Sequence, residues 1–173
     1  GDETVLREYH QHGRLIDAGT RDDAETSAAR AWLADTLDGR RSLLLVDTND
    51  QAARLSAQLR GELVRLGRVE ENGVPLGMQG TFAGVGDLVQ ARRNGWNLTG
   101  VEGNRRGPIH RETYRVTAVR DDGALEVATD PDGDVGERLV LPADYVAEHL
   151  ALGYASTVHA AQGATVDTTH TVA

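Results

Sequence analysis

The chain has 173 residues, 39% hydrophobic and 4% aromatic, with no cysteine and a formal net charge of −9. This length suits one ordinary domain or a small domain with an insertion, and the missing thiols exclude disulfides and cysteine-based metal sites. The acidic balance excludes a general coat for polyanions, and the absence of any membrane-span or signal-peptide pattern predicts a soluble cytoplasmic protein.

Residues 1–70 have the pattern of α/β structure. Apolar residues recur near helical spacing before Gly39, at Ala28, Trp32, Leu33 and Leu37. The run SLLLVDT, residues 42–48, predicts a short strand covered on both faces. Asn49 or Asp50 can cap the helix that follows, whose apolar stripe comprises Ala52, Leu55, Leu59, Leu63 and Leu66. A strand that runs directly into an amphipathic helix is half of a βαβ unit with parallel strands.

Residues 71–150 have a different pattern, that of an all-β insertion. Short strands separated by Gly, Asp and Asn turns are predicted in GTFAGVGDLVQARRN, ETYRVTAVRDDG, ALEVATD and ERLVLPADYV. The segment RDDGAL predicts a tight hairpin with Asp-Gly at the turn. Four or five such strands predict a small antiparallel barrel or curled sheet.

Charge is unevenly distributed within the predicted insertion. Residues 90–111 carry five arginines and one carboxylate, Glu102, whereas residues 121–137 carry seven carboxylates and no cation. The arginine-rich segment also contains Trp96. It is therefore either a surface that holds a phosphate backbone and stacks a base, or a solvated hairpin tip.

The α/β pattern returns after residue 150. YASTVHAAQG predicts a strand or loop that enters a helical turn, and TTHTVA predicts another strand. The segment YASTVHAAQGATVD, residues 154–167, consists of small, β-branched and polar residues that can hydrogen-bond a sugar-phosphate chain. Because no helix is predicted after the last strand, we expect an α/β lobe that is truncated at its C-terminus.

Several segments resemble those of a known family. TVHAAQGATVD is similar to motif V of superfamily 1 DNA helicases of the RecD-like branch, and SLLLVDTNDQAARL resembles the motif IV region. The ordered set HGRL, SLLLVDTNDQAARL, AGVGDLVQARRN, NRRGPIHRETYRVTAV, LPADYV and GYASTVHAAQGATVD looks like the helicase half of MobF-type conjugative relaxases from actinobacteria. The resemblance covers essentially the whole chain. It implies a partial RecA-like (P-loop NTPase-type) lobe at residues 1–70 and 151–173, with a Src-homology-3-like small antiparallel β-barrel inserted at residues 71–150.

The resemblance implies a fragment of an ATP-dependent DNA helicase or translocase that acts in plasmid conjugation. Its partners would be single-stranded DNA, the relaxase and N-terminal helicase lobe of the same polypeptide, and proteins of the conjugation machinery. In the family, the positions of Thr157 and His159 lie along the DNA. Thr48 and Asn49, from motif IV, either contact a phosphate or cap the following helix. The charge contrast and the motif order together add Arg92, Arg93, Trp96, Arg105 and Arg106 to the path of the strand.

The resemblance also implies a nucleotide cleft, with ATP and Mg²⁺ as cofactors of the full-length protein. Gln162 and Gly163 would lie where the DNA path meets this cleft. Thr165 occupies a position where many superfamily 1 enzymes have a Glu that meets the nucleotide sugar. All 18 basic residues are arginine, so there is no P-loop lysine, and no Walker B strand or arginine-finger segment is recognisable. We therefore expect no catalytic residue, no bound cofactor and no ATP hydrolysis in this fragment.

The sequence also has a candidate metal-binding pair and is compatible with three other functions. His10 and His12, an i, i+2 pair, are better explained as a solvated pair or a helix end than as metal ligands, so we predict no metal site. One alternative function is a non-catalytic module that binds single strands, a vestigial helicase lobe. A second is a scaffold that recruits protein partners. A third is the corresponding lobe of a RecD-like repair helicase.

Overall fold

A computed structural model gives the fold of the chain and describes residues 17–78, 80–129, 136–161 and 166–172. These residues form a mixed α/β structure with three sheets. They divide into two compact units. The first contains the described residues up to Ala52 and those from Ala155 onward, and the second is Ala53–Tyr154. His10 and His12 lie outside the described residues.

The elements are numbered in chain order. The helices are α1 (Asp17–Leu37), α2 (Asn49–Arg65), α3 (Ala143–His149) and α4 (Val158–Ala161), with short 3₁₀ turns at Trp96–Leu98 and Val101–Gly103. The strands are β1 (Ser42–Val46), β2 (Gly73–Pro75), β3 (Phe82–Gly84), β4 (Leu88–Ala91), β5 (Thr113–Val119), β6 (Leu125–Ala128), β7 (Arg138–Leu141), β8 (Leu150–Leu152), β9 (Ala155–Thr157) and β10 (Thr168–Thr171).

The first unit is built on a parallel three-stranded sheet. β1 lies in the centre, with β9 on one side and β10 on the other, and both neighbours run parallel to it. The parallel strands predicted from the βαβ pattern are therefore confirmed. The two faces of β1 are not buried equally, although the sequence predicted a strand covered on both faces. Leu44 and Val46 are buried, whereas Leu43 and Leu45 are half-buried. Within the sheet, β1 therefore has one more deeply buried face.

Helix α1 packs beside this sheet and follows the predicted apolar spacing. Ala28 and Trp32 are buried, Leu33 is half-buried and Leu37 is exposed where the helix ends. The indole of Trp32 donates its Nε1–H to the carbonyl oxygen of Ser42 at 2.9 Å. A buried indole needs such an acceptor, so this bond fixes the helix against the start of β1.

A second contact between α1 and the sheet joins Asp35 to His170. His170 Nε2 lies 2.7 Å from Asp35 Oδ2. The hydrogen bond to His170, followed by one to Thr168, holds the pKa of Asp35 below its ordinary value. A carboxyl whose folded pKa is depressed contributes stability above its unfolded pKa, about 3.9, and that contribution is lost as pH falls through the folded value.

Replacing Asp35 by Asn should therefore flatten the acid dependence of stability. We expect the free energy of unfolding of the variant to fall less than that of the wild type between pH 5 and pH 2, because the depressed carboxyl is gone. Urea unfolding followed by far-ultraviolet circular dichroism across this range measures the difference. The control is Asp38→Asn, which removes an exposed carboxylate just after the same helix. Equal pH profiles for the two variants would contradict the assignment.

Helix α2 carries the predicted apolar stripe. Its buried residues are Ala52, Leu55, Leu59 and Leu63. Leu66, the last predicted member, lies one residue beyond the helix end and is exposed. The stripe therefore ends with the helix, because a residue outside the last turn no longer follows the 3.6-residue period.

The second unit contains a five-stranded antiparallel sheet with the strand order β7-β6-β5-β4-β8, and a two-stranded sheet of β2 and β3. The predicted hairpin joins β5 to β6. At its turn the Arg120 N–H donates to the Ala124 carbonyl at 2.9 Å, and Gly123 has a φ of 94°. Such a left-handed φ is why glycine stands at this turn. Residues 53–70 and 151–154, which the sequence assigned to the lobe, belong to this unit. The RecA-like and Src-homology-3-like classes stay predictions.

Asp87 is a fully buried carboxylate in the second unit. Its Oδ2 lies 2.6 Å from Arg60 Nε and accepts the Gly84 N–H at 2.8 Å. Its Oδ1 accepts the hydroxyl of Tyr154, whose oxygen accepts the Leu88 N–H at 3.2 Å. Burial, then the negative charge of Asp87, raises the pKa of Tyr154 well above its ordinary value, so this hydroxyl stays protonated as a donor.

Candidate nucleic-acid interface

Two predicted DNA-contacting segments leave the same edge of the parallel sheet. β1 and β9 are adjacent and parallel, with Val46 opposite Thr157 in the register. The residues that follow them, Thr48 and Asn49 after β1 and His159 after β9, therefore lie at the carboxyl ends of neighbouring strands. This is the edge at which open α/β sheets bind ligands. The fold thus brings together segments that are far apart in the sequence.

Thr48 is the cap residue of α2. Its Oγ1 accepts the N–H of Gln51 at 3.1 Å, and the Gln51 side chain in turn accepts the Asp47 N–H at 3.0 Å. The capping role left open by the sequence is therefore confirmed for Thr48, while Asn49 and Asp50 lie inside the first turn. Thr48 and Asn49 are exposed. The Thr48 hydroxyl keeps its proton as a donor, so capping leaves a phosphate contact chemically open.

Thr157 has the same kind of role in the second segment. Its Oγ1 accepts the N–H of Ala160 at 3.3 Å, at the start of α4. Ser156 is buried and Thr157 is half-buried, whereas His159 is exposed and Val158 is 68% exposed. The outer surface of the segment is therefore Thr157, Val158 and His159. An exposed apolar side chain at Val158 was not predicted from the sequence.

The predicted nucleotide-cleft residues Gln162, Gly163 and Thr165 lie outside the described residues. No ATP contact is therefore assigned to them. Among the described residues, no group of three or more His, Asp and Glu side chains could hold a metal ion. In the same part of the chain, no helix has the length and apolar character needed to cross a membrane.

The predicted arginine-rich segment forms one ordered loop in the second unit. We call residues 92–111, between β4 and β5, the arginine loop. Its base is closed where the Gly95 N–H donates to the Pro108 carbonyl at 2.9 Å and where Asn94 Oδ1 accepts the His110 N–H at 2.8 Å. A Cβ on Gly107 would lie 1.8 Å from the Gly95 carbonyl oxygen, so the two arms meet too closely for any side chain there.

Helix α3 holds the first arm of the loop. The Arg92 N–H donates to the His149 carbonyl at 2.7 Å, and the Tyr145 hydroxyl donates to the Arg93 carbonyl. Burial raises the pKa of Tyr145 to about 12, so its hydroxyl remains a donor at physiological pH. Tyr145 also packs edge-on against His149, with ring centroids 5.4 Å apart. The backbone of the two arginines is thereby fixed.

The surface of the arginine loop differs from residue to residue. Trp96 is 68% exposed, and Arg92, Arg93 and Arg105 are also exposed. Arg106 is half-buried, with Nη2 2.9 Å from Glu112 Oε1 and Nε 3.6 Å from Glu137 Oε2. The fold therefore presents four of the five predicted contact residues of this segment to solvent and holds Arg106 in ion pairs.

The single carboxylate of the loop is also paired. Glu102 Oε2 lies 2.6 Å from Arg120 Nη1, which belongs to the β5–β6 hairpin. Arg120 Nε lies 3.2 Å from Glu126 as well. The loop thus carries both an exposed aromatic residue and exposed arginines. Proteins bind single strands with these residue types, because bases stack on aromatic rings and arginines attract phosphates.

The backbone of the loop is strained in two places. Among the described residues, the non-glycine residues with positive φ are Glu102 at 53° and Arg111 at 78°, and both belong to this loop. Side chains other than glycine rarely adopt this region, and such strain persists where surrounding contacts enforce it, often at functional sites. Sequence patterns did not predict this feature, since strain depends on contacts rather than on residue spacing.

Comparison with known proteins adds little about activity. No protein-family model matches the chain. Over 59 residues the chain is 46% identical to two proteins described as uncharacterized, from Mycobacterium tuberculosis strains CDC 1551 / Oshkosh and ATCC 25618 / H37Rv. The match covers 34% of this chain and 33% of each relative. The chain therefore matches about a third of the length of these curated relatives, whose descriptions assign no function.

Proposed function

We propose that the chain is part of the second RecA-like lobe of a superfamily 1, RecD-like DNA helicase from a MobF-type conjugative relaxase. It contributes contacts to single-stranded DNA in a cytoplasmic motor. The observation that carries the proposal is the parallel pairing of β1 with β9. It brings the segment that resembles motif IV next to the segment that resembles motif V, at the edge where α/β sheets bind ligands.

The arginine loop supports the same proposal independently of the motifs. Its exposed Trp96 and arginines suit an unpaired strand, whose bases are free to stack. ATP and Mg²⁺ would bind only in the full-length protein, where the remaining helicase lobe supplies the P-loop. Gln162, Gly163 and Thr165 would then contribute one wall of the cleft.

A protein-binding scaffold is the second candidate. It is favoured by the apolar side chains of the arginine loop, since Val101 is 37% and Ile109 is 39% exposed in addition to Trp96. Exposed apolar residues that share a surface with arginines occur at protein interfaces as well. Nucleic-acid binding that depends on salt separates the two candidates, because a scaffold for proteins has no need to neutralise phosphates.

The proposal predicts binding of a fluorescein-labelled oligo(dT) strand, measured by fluorescence anisotropy at several salt concentrations. Arg92→Glu combined with Arg93→Glu should raise the Kd at least about 10-fold. It should also make the slope of log K against log salt less negative by about 1.4, because each phosphate neutralised on a single strand contributes about −0.7. A duplex of the same length should bind more weakly, since its bases are already stacked.

The matched control is Arg65→Glu with Arg68→Glu, two exposed arginines at the end of α2 that change the net charge equally. We expect this control to keep most of the affinity and the full salt slope. Binding that is independent of salt, or equal loss in both double variants, would contradict a DNA contact at the arginine loop. No binding of the wild-type chain would contradict the proposed function itself.

A further inference from the structure

Asn104 is a buried residue inside an otherwise exposed stretch of the arginine loop. It is 4% exposed, whereas Glu102, Gly103 and Arg105 around it are exposed. Burying a primary amide costs free energy unless its polar atoms are hydrogen-bonded. The side chain of Asn104 is therefore expected to be hydrogen-bonded, and it makes three hydrogen bonds with two residues.

The amide of Asn104 joins the loop to the edge of the five-stranded sheet. Its Nδ2 donates to the Val140 carbonyl at 2.9 Å, and its Oδ1 accepts the Val140 N–H at 2.8 Å. The second hydrogen of Nδ2 donates to the Leu98 carbonyl at 3.1 Å. Val140 belongs to β7, which ends the strand order of the sheet. The side chain of Asn104 thus forms the two backbone hydrogen bonds that a neighbouring strand would form with Val140. Its third hydrogen bond, to Leu98, holds the turn that contains Trp96.

The backbone around Asn104 is wound tightly and would not keep this shape unaided. Gly100, Glu102 and Gly103 all have positive φ, at 85°, 53° and 85°. The Gly100 N–H donates to the Asn104 carbonyl at 2.7 Å, and the Asn104 N–H donates to the Val101 carbonyl at 2.9 Å. Left-handed Glu102 costs free energy, which the contacts of Asn104 and the Glu102–Arg120 ion pair offset.

We propose that Asn104 is a positioning residue that presets the arginine loop for a single-stranded polyanion. The inference rests on the proposed function, because the ligand is the same. Asn104 is buried and does not contact the DNA strand. It acts by holding Leu98, and with it Trp96, in a fixed relation to the arm that carries Arg105. A loop that is ordered beforehand binds more tightly, since the ligand does not have to offset the entropy lost on ordering it.

The test is Asn104→Ala, with two measurements on the whole chain. In the anisotropy titration with oligo(dT), we expect the Kd to rise about 10-fold while the slope of log K against log salt stays unchanged, because no phosphate contact is lost. In the free protein, we expect amide hydrogen exchange of residues 96–104 to accelerate at least about 10-fold, because the loop opens locally. Arg93→Gln, by contrast, should make the salt slope less negative by about 0.7.

Thr81→Ala is the matched control for general destabilisation of the second unit. Thr81 is also buried, and its hydroxyl donates to the Met78 carbonyl in the β2–β3 turn. Both variants are compared at a temperature at which each is folded. Thr81→Ala should lose stability and keep its affinity for oligo(dT).

Each outcome decides the inference. Three results for Asn104→Ala would each overturn the inference. They are a Kd equal to that of the wild type, unchanged hydrogen exchange in residues 96–104, and a salt slope as much less negative as that of Arg93→Gln. Equal loss of affinity in Thr81→Ala would overturn it as well, because the effect would then be general instability. If the wild-type chain binds no oligo(dT), the proposed function fails, and the exchange measurement still shows whether Asn104 orders the loop.

Discussion

Replacing Asp87 by Asn is expected to lower the free energy of unfolding by about 3–5 kcal/mol, the usual cost of removing one partner from a buried ion pair. Asp87 is fully buried, and the Arg60 side chain opposite it is only 12% exposed. The amide keeps the shape of the carboxyl group but leaves the guanidinium buried without its countercharge. Urea denaturation and thermal unfolding measure the effect, and we expect the melting temperature to fall by roughly 6–20 °C.

Two further variants provide comparisons for the Asp87→Asn measurement. Tyr154→Phe removes only the hydroxyl between Asp87 and the Leu88 N–H, so we expect a smaller loss of about 1–2 kcal/mol. Glu62→Gln is the control, because it breaks an exposed ion pair with Arg65 on α2, the helix that carries Arg60. Exposed pairs contribute less than about 1 kcal/mol. If Asp87→Asn destabilises no more than Glu62→Gln, the buried cluster does not stabilise the second unit.

Gly107→Ala should be the most damaging change in the arginine loop. The added methyl group would lie 1.8 Å from the Gly95 carbonyl oxygen, which is backbone and cannot rotate away. Such a clash forces the two arms apart, and we expect a loss of about 3 kcal/mol in the free energy of unfolding, near the upper end for overpacking. Binding of oligo(dT) should weaken as well, because Trp96 follows directly after Gly95.

A second glycine gives the opposite expectation. Gly61 lies inside α2, and a Cβ there would meet no atom within 4 Å. Gly61→Ala should therefore stabilise the chain by roughly 0.5–1 kcal/mol, the difference in helix propensity between the two residues. Thermal unfolding of both variants measures the pair of effects. A Gly107→Ala variant as stable as the wild type would mean that the two arms of the loop are not held at this distance.

Local patterns predicted most of the secondary structure. The helical spacing of Ala28 and Trp32, the apolar run of β1, and the Asp-Gly turn of the β5–β6 hairpin each depend on neighbours within a few residues. For the start of α2 the sequence left Thr48, Asn49 and Asp50 as possible caps. Thr48 caps it, because the residue that accepts the Gln51 N–H decides the start and several polar residues compete for that role.

The candidate site was predicted only in part. Trp96 and the arginines were identified by their types and by the local excess of positive charge. Asn104 and Tyr145, which hold the loop, were not identified, because a buried asparagine has no sequence signal that separates it from an exposed one. Binding of DNA by the arginine loop is the property that the oligo(dT) titrations measure.

The sequence by itself determined most of the helices and strands, the parallel pattern around β1 and the concentration of positive charge in residues 90–111. It was wrong about α3, because ADYV was assigned to a predicted strand and is the first half of this helix. Only the tertiary structure decided which of two neighbouring side chains is exposed and which forms ion pairs. Arg105 and Arg106 are adjacent in the chain, yet the first is exposed and the second is held by Glu112 and Glu137. The physical reason is that periodicity reports which face of an element is buried. Ion pairs and hydrogen bonds depend instead on groups that only folding brings within about 3 Å of each other.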